Sequence, residues 1–221
     1  MDFEDLSTKY VGPIAENYER TRVGKKWHSE HAAIQSLLDR VKRGSKILDI
    51  PIGTGRLLPF FMAREFEVYG GDMSSDMLAS AQANAEKLGL SARLDTADIR
   101  SIPFPDASFD LVVCIRFLNL IGTASVDGVV EELVRVSRSK LLIGARYLPP
   151  WSGFRLPADL LRMTSRLVRL PQIRAGRMHQ TVHPRDHLTA LFKKHRLKAV
   201  ETKFVQRRWD GTEYVIFLLE R

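Results

Sequence analysis

The sequence predicts an α/β fold: a seven-stranded, mostly parallel sheet with helices on both faces and an antiparallel last strand. Three observations predict it. Strand-like apolar runs alternate with helical patterns along most of the chain. Gly53 and Gly55 stand directly between one such strand and one such helix. Only a short polar stretch, centred on Trp209-Asp210-Gly211-Thr212, separates the last two strands, and it reads as a hairpin turn. Alternation of this kind builds a parallel sheet covered on both sides, because each parallel crossover needs a connection that can bury one face of the sheet.

The elements follow in order. Residues 9–24 read as an irregular or helical arm ending at Gly24. Residues 26–41 read as a helix whose apolar face carries Trp27, Ile34, Leu37, Leu38 and Val41, with Arg43-Gly44 as its stop. Strands are expected at 46–50, 67–71, 92–96, 109–115, 139–146, 198–206 and 213–220, and helices at 56–64, 75–88, 126–137 and 185–195. Residues 148–184 break the rhythm with Pro149, Pro150, Pro157, Pro171 and Pro184. Inside them, 159–170 looks helical, with Leu160, Leu161, Leu167 and Val168 apolar and Arg162, Arg166 and Arg169 forming a basic stripe. The expected organisation is one domain over 1–221. It comprises an N-terminal arm and helix (1–42), a ligand-binding core (43–147), a helical cap insertion (148–184), and a last helix with a β-hairpin (185–221).

Bulk properties narrow the function classes. A chain of 221 residues can bury a full core. No apolar run reaches the roughly 18 residues that span a bilayer, and the acidic start, Met1 to Asp5, does not have the form of a secretion signal. The expected location is cytoplasmic, with a peripheral membrane position as an option. One cysteine, Cys114, excludes an intrachain disulfide framework and a cysteine-based metal site, so no metal is expected. The net charge of +8 is uneven: residues 150–221 hold 15 Lys and Arg against 6 Asp and Glu, and the rest of the chain is nearly balanced. That asymmetry suits either an anionic partner or simply a solvated basic surface.

Four blocks carry chemistry. The first is Asp49-x-x-x-Gly53-x-Gly55, where glycines let the backbone approach a ligand and the helix start offers free N–H groups. The second is Asp72, leaving the next strand in Val68-Tyr69-Gly70-Gly71-Asp72-Met73; an acid there can accept hydrogen bonds from both hydroxyls of a ribose. The plainer reading makes Asp72 a loop acid ahead of the capping cluster Ser74, Ser75 and Asp76. The third is Asp98-Ile99, at the end of the third strand, where a carboxylate can meet the exocyclic amine of adenine while Ile99 packs on the ring. The fourth is the proline-bearing loop Ile102 to Ser108 feeding the apolar strand Phe109 to Cys114. A dinucleotide site would need a third glycine three residues after Gly55, for close helix–strand packing; Leu58 stands there.

Together these blocks resemble the class I S-adenosylmethionine-dependent methyltransferases, most closely the small-molecule group that includes the ubiquinone and menaquinone C-methyltransferases. The resemblance carries motifs over roughly residues 10–147 and strand order beyond. It implies a Rossmann-like fold, S-adenosylmethionine as cofactor and S-adenosylhomocysteine as product. It further implies that Asp49, Gly53 and Gly55 form the methionine-side turn, that Asp72 holds the ribose, that Met73 lines the adenine pocket, and that Asp98 and Ile99 hold the adenine. Tyr18, in an Ala15-x-x-Tyr18-x-x-x-Arg22 arm, is expected near the methionyl part. Arg116, after the fourth strand, is expected to face cofactor and substrate, orienting an anionic group or pairing with a protein carboxylate. Pro51 departs from the pattern, standing where many members have glycine.

Many similar enzymes carry a histidine shortly after the fourth strand, and Arg116-Phe117-Leu118-Asn119-Leu120 has none. Candidates for a general base are then His28 and His31 on the first helix and His179 and His183 in the insertion, each with a bland reading as a helix-face or surface histidine. Arg146 and Tyr147, after the fifth strand, could line the substrate pocket. The expected partner is a small-molecule acceptor, hydrophobic or anionic. Segment 159–170 could rest on an anionic membrane. Nucleic acid is disfavoured, because the arginines alternate with aliphatic rather than aromatic residues. Two other readings stand beside this one: an RNA or protein methyltransferase, and a cofactor-binding interaction protein without catalysis.

Overall fold

The computed structural model describes residues 25–148, 181–208 and 211–221. The expected arm over 9–24, the helix at 159–170, Tyr18 and His179 lie outside them. In chain order the elements are α1 (Lys25–Leu38), β1 (Lys46–Asp49), α2 (Leu58–Ala63), β2 (Glu67–Asp72), α3 (Ser75–Lys87), β3 (Ala92–Thr96), β4 (Phe109–Cys114), α4 (Thr123–Val136), β5 (Ser137–Leu148), β6 (His183–Pro184), α5 (Arg185–Lys194), β7 (Lys198–Arg207) and β8 (Glu213–Glu220). A single 3₁₀ turn, Leu118–Leu120, lies between β4 and α4.

The strands form one sheet in the order β3-β2-β1-β4-β5-β8-β7. Pairs from β3 through to β5 are parallel, and β8 runs antiparallel to both β5 and β7. The expected antiparallel last strand is therefore present. An eighth strand was not expected. β6 is two residues long and pairs parallel with the far end of β5, Tyr147 opposite His183. It is too short to leave an alternating pattern in the sequence. β5 is also longer than expected, 12 residues against 8; at its far end Tyr147 and Leu148 pair with β6, and at its start Ser137 pairs with Phe109 of β4.

Period-two alternation divides the buried side chains between the two faces of the sheet. Ile47, Leu111, Val113, Leu142, Ile216 and Leu218 pack with Ile34, Leu37 and Leu38 of α1, Leu58 and Phe61 of α2, and Ala81 and Ala85 of α3. Leu48, Val112, Leu141, Ile143 and Val215 pack with Val126, Val130 and Leu133 of α4 and Leu188 and Leu191 of α5. Each of the Val, Leu, Ile and Phe side chains taken fully out of water contributes about 1.5–3 kcal/mol. The C-terminal ends of β1, β2 and β4 meet where the chain passes from one side of the sheet to the other. In open α/β sheets this switch point is where ligands bind.

Candidate active site

The turn after β1 is built by its glycines. Gly53 (φ +58°) and Gly55 (φ +75°) both occupy the left-handed region that costs a glycine little. A Cβ at Gly55 would lie 2.5 Å from the Leu58 side chain, so the residue in the third-glycine place closes over the second glycine. A Cβ at Gly53 would meet no described residue within 4 Å. Asn84 of α3 ties the turn down by donating to the Thr54 carbonyl at 2.8 Å, and the Ile50–Pro51 peptide is cis.

Asp72 ends β2 beside this turn. Its Oδ2 accepts from the Gly53 N–H and its Oδ1 from the Ser74 N–H, both at 2.9 Å. Ser74 in turn caps α3 by accepting from the Met77 N–H. The carboxylate thus joins the glycine turn to the start of α3. Burial raises its pKa, and the backbone donors oppose the rise. Met73, next in the chain, is 38% exposed.

Asp49 is buried at the end of β1, and burial pushes its carboxyl up to about 8; Asp72 adds to the rise, while Arg56 opposes it. Cys114 is buried nearby, its thiol raised by burial and by the charge of Asp49. Asp98 sits in a fork made by its own neighbour: Arg100 meets both carboxylate oxygens, at 2.6–3.0 Å, and holds the carboxyl below its ordinary range despite partial burial. Ile99 is packed into the core on the α4 side.

Arg116 follows β4 with φ +67°. A non-glycine residue held there costs on the order of 1–3 kcal/mol, so its surroundings must fix it. They do. Nε and Nη2 donate to the two oxygens of Glu30 at 2.8 and 2.9 Å, and the guanidinium lies 4.8 Å from the Trp27 ring and 4.1 Å from the Tyr214 ring. Of the two roles that the sequence allowed, the structure places Arg116 in an ion pair with a protein carboxylate. Glu30 has no exposed surface. Burial alone would raise its pKa, but the hydrogen bonds and charge of Arg116, with the charge of Arg56, hold it below the ordinary carboxylate range. Arg56, one residue past Gly55, reaches Glu30 at 3.5 Å and lies 5.3 Å from Trp27.

Of the candidate bases, His28 and His31 lie one turn apart on α1 and His183 lies in β6. His28 is exposed on α1, and His31 meets the Phe60 ring edge-on at 5.3 Å. His183 is fully buried in β6: Nε2 donates to the Leu118 carbonyl at 2.8 Å, while Nδ1 accepts from the Thr123 hydroxyl at 3.1 Å. Burial lowers its pKa, so the ring is a neutral tie between β6 and the segment after β4. Asn119 completes that tie by accepting the Arg146 N–H on Oδ1 and the Thr181 N–H on its carbonyl.

The sequence reading missed Glu30, Arg56, Asn119 and Tyr214. For Glu30 a signal existed: it lies three and four residues before Ala33 and Ile34, an acid in line with the buried stripe of α1. Tyr214 fits only because Gly144, on the neighbouring strand β5, has no side chain. A Cβ there would lie 2.2 Å from the tyrosine hydroxyl.

Residues 47–140 match a protein-family model described as a methyltransferase domain. A phosphatidylethanolamine N-methyltransferase of Cereibacter sphaeroides is 37% identical over 98 residues, covering 43% of this chain and 47% of the relative. A demethylmenaquinone methyltransferase of Thermus thermophilus is 36% identical over 116 residues, 51% of each chain. The chain therefore spans about half the length of these curated relatives. Among solved structures, the magnesium protoporphyrin IX methyltransferase of Synechocystis with bound SAH aligns over 100% of both chains at TM-score 0.76 and 16% identity, a likeness of fold. The sheet order, the glycine turn and the acid after β2 define a class I methyltransferase fold. The family match and these relatives make residues 47–140, under half of the chain, similar to methyltransferase domains, and the solved structures show that the whole chain shares their fold.

Proposed function

We propose that this protein transfers a methyl group from S-adenosylmethionine to a small-molecule acceptor. The observation that carries this reading is the junction of Gly53, Asp72 and Ser74, where one carboxylate spans the glycine turn and the cap of α3. The residues fit the cofactor. The Gly53, Ser74 and Met73 N–H groups face a carboxylate with roughly four acceptor sites, which leaves capacity for a further donor from a ribose diol. Among the described residues, no atom stands within 4 Å of where a Cβ at Gly53 would lie. Met73 offers an apolar surface beside it. Asp49 can balance the positive methionyl end.

When bound, S-adenosylmethionine supplies an electrophilic methyl group on a sulfonium. The chain's part is then to position that methyl, exclude water and aim the acceptor, which can account for much of such a reaction. Asp98 and Ile99 are assigned to the adenine; Asp98 would share its oxygens with Arg100. Arg116 acts through Glu30 and shapes the wall rather than handling a proton. The acceptors in the relatives' names, a phospholipid and a menaquinone precursor, support a small and largely hydrophobic acceptor over RNA or protein. A membrane-peripheral position through 159–170 accords with such acceptors and stays part of the proposal.

Calorimetry with S-adenosylmethionine and S-adenosylhomocysteine tests the reading. The wild-type chain should bind both, and Asp72→Ala should weaken binding roughly 10- to 100-fold, the range for losing charge-assisted hydrogen bonds. Failure of the wild type to bind either ligand would overturn it.

A further inference from the structure

Glu30 stands between the first helix and the cofactor turn. It is wholly buried, at a position where the stripe of α1 otherwise carries Ala33, Ile34, Leu37 and Leu38. One partner, Arg116, comes from the end of β4, and the other, Arg56, from the residue after Gly55. Trp27, one helical turn before Glu30, lies against both guanidiniums. Arg56 also acts on a second buried acid, since its charge reaches Asp49. Arg56 is therefore held against Glu30 on the helix by contact, while its charge also favours the ionised form of Asp49 at the turn.

We infer that Glu30 is a positioning residue for the cofactor: it holds Arg56 on the helix side and so keeps the Asp49 carboxylate free for the positive end of the ligand. This rests on the binding role proposed above for Asp49 and the glycine turn. The argument is one of charge. A buried arginine takes the nearest carboxylate that can offset its desolvation. With Glu30 in place, Arg56 has that partner 3.5 Å away. Without it, Asp49 is the remaining acid within reach of its charge among the described residues, and Arg56 would occupy the oxygens that a ligand cation needs. Arg116 fixes the arrangement, because its bidentate grip on Glu30 and its place between Trp27 and Tyr214 set where the carboxylate points.

The charge of the ligand makes the role measurable. S-adenosylmethionine carries a sulfonium that S-adenosylhomocysteine lacks, and the two are otherwise alike. Loss of a helix contact alone would weaken both ligands equally. Loss of a charge arrangement weakens the cation more.

The test is calorimetric titration of the full chain with each ligand, accompanied by a thermal melt. Glu30→Gln should weaken S-adenosylmethionine about tenfold, the scale of one unit charge at a partly screened distance, and S-adenosylhomocysteine no more than about threefold. Glu30→Asp, which keeps the charge, should restore most of the difference. Arg56→Met serves as an independent arm should Glu30→Gln not fold. It removes the competing cation, so S-adenosylmethionine should bind at least as tightly as to wild type. Equal loss for both ligands in Glu30→Gln, no loss for either, or weaker S-adenosylmethionine binding in Arg56→Met would overturn the inference. A wild type that binds neither ligand would instead overturn the function proposed above.

Discussion

Asp49 and Glu30 show how two buried acids in one protein can be driven in opposite directions. Glu30 has two arginines and is held ionised, whereas Asp49 has burial and Asp72 against it and only the shared Arg56 in its favour. The rise of Asp49 has a consequence for stability. A carboxyl whose folded pKa is raised to about 8 stabilises the fold fully below its ordinary pKa near 3.8. That contribution is lost as pH rises toward 8. Asp49→Asn should therefore stabilise the ligand-free protein at pH 9 relative to wild type, by at least about 1 kcal/mol, or about 2–4 °C in Tm for a chain of this size. The gain should vanish near pH 4. Thermal melts across pH check this, and a variant less stable than wild type at pH 9 would refute it. The same carboxylate should release a proton when a cation binds, so S-adenosylmethionine affinity should rise between pH 6 and pH 8. At this scale the sequence was partly legible. Asp49, Gly53, Gly55 and Asp72 were visible because a strand, a turn and a helix framed them. Glu30 was not, because one acid in an apolar stripe looks like an exposed flank until its partners, 26 and 86 residues away, are brought to it.

The elements that periodicity can mark were the ones found. α4 carries Val126, Val129, Val130, Leu133 and Val134 on one buried face, and its apolar spacing is plain in the sequence. Its true start at Thr123 lies earlier than the apolar run, since the first turn faces Thr123 toward His183 rather than toward the core. Leu133→Ala should cost about 2–5 kcal/mol, the usual range for emptying a buried leucine site, as read from denaturant unfolding. β6 escaped because two residues have no period. Its hold on the fold comes from His183 instead, bonded at both ring nitrogens. Burial depresses the pKa of His183, so its contribution is present above the ordinary value near 6.5 and is lost as pH falls through the lowered one. His183→Ala should cost about 1–3 kcal/mol at pH 7.5, and the gap from wild type should narrow at pH 5. A gap that widens on acidification would contradict the neutral ring.

In the molecule as a whole, the parallel strands β3, β2, β1 and β4 place their C-terminal ends together, and every residue assigned to the cofactor among the described positions lies at the C-terminal end of β1, β2, β3 or β4 or on the loop leaving it. That convergence was legible, because alternating strands and helices permit few arrangements of a parallel sheet. What the sequence could not show was how the far half of the sheet takes part. Tyr214 of β8 and Gly144 of β5 shape the wall behind Arg116, and neither carries a motif. Among the described residues, no helix is long and apolar enough to cross a membrane. The central claim is that the loops after β1 and β2 hold S-adenosylmethionine. It is tested most directly by a crystal structure of the complex with S-adenosylhomocysteine. The account predicts both ribose hydroxyls on Asp72, the methionyl end over Gly53 and Gly55 beside Asp49, and the adenine against Met73 and Ile99. A ligand seated elsewhere, or a ribose that leaves Asp72 bonded only to Gly53 and Ser74, would contradict it.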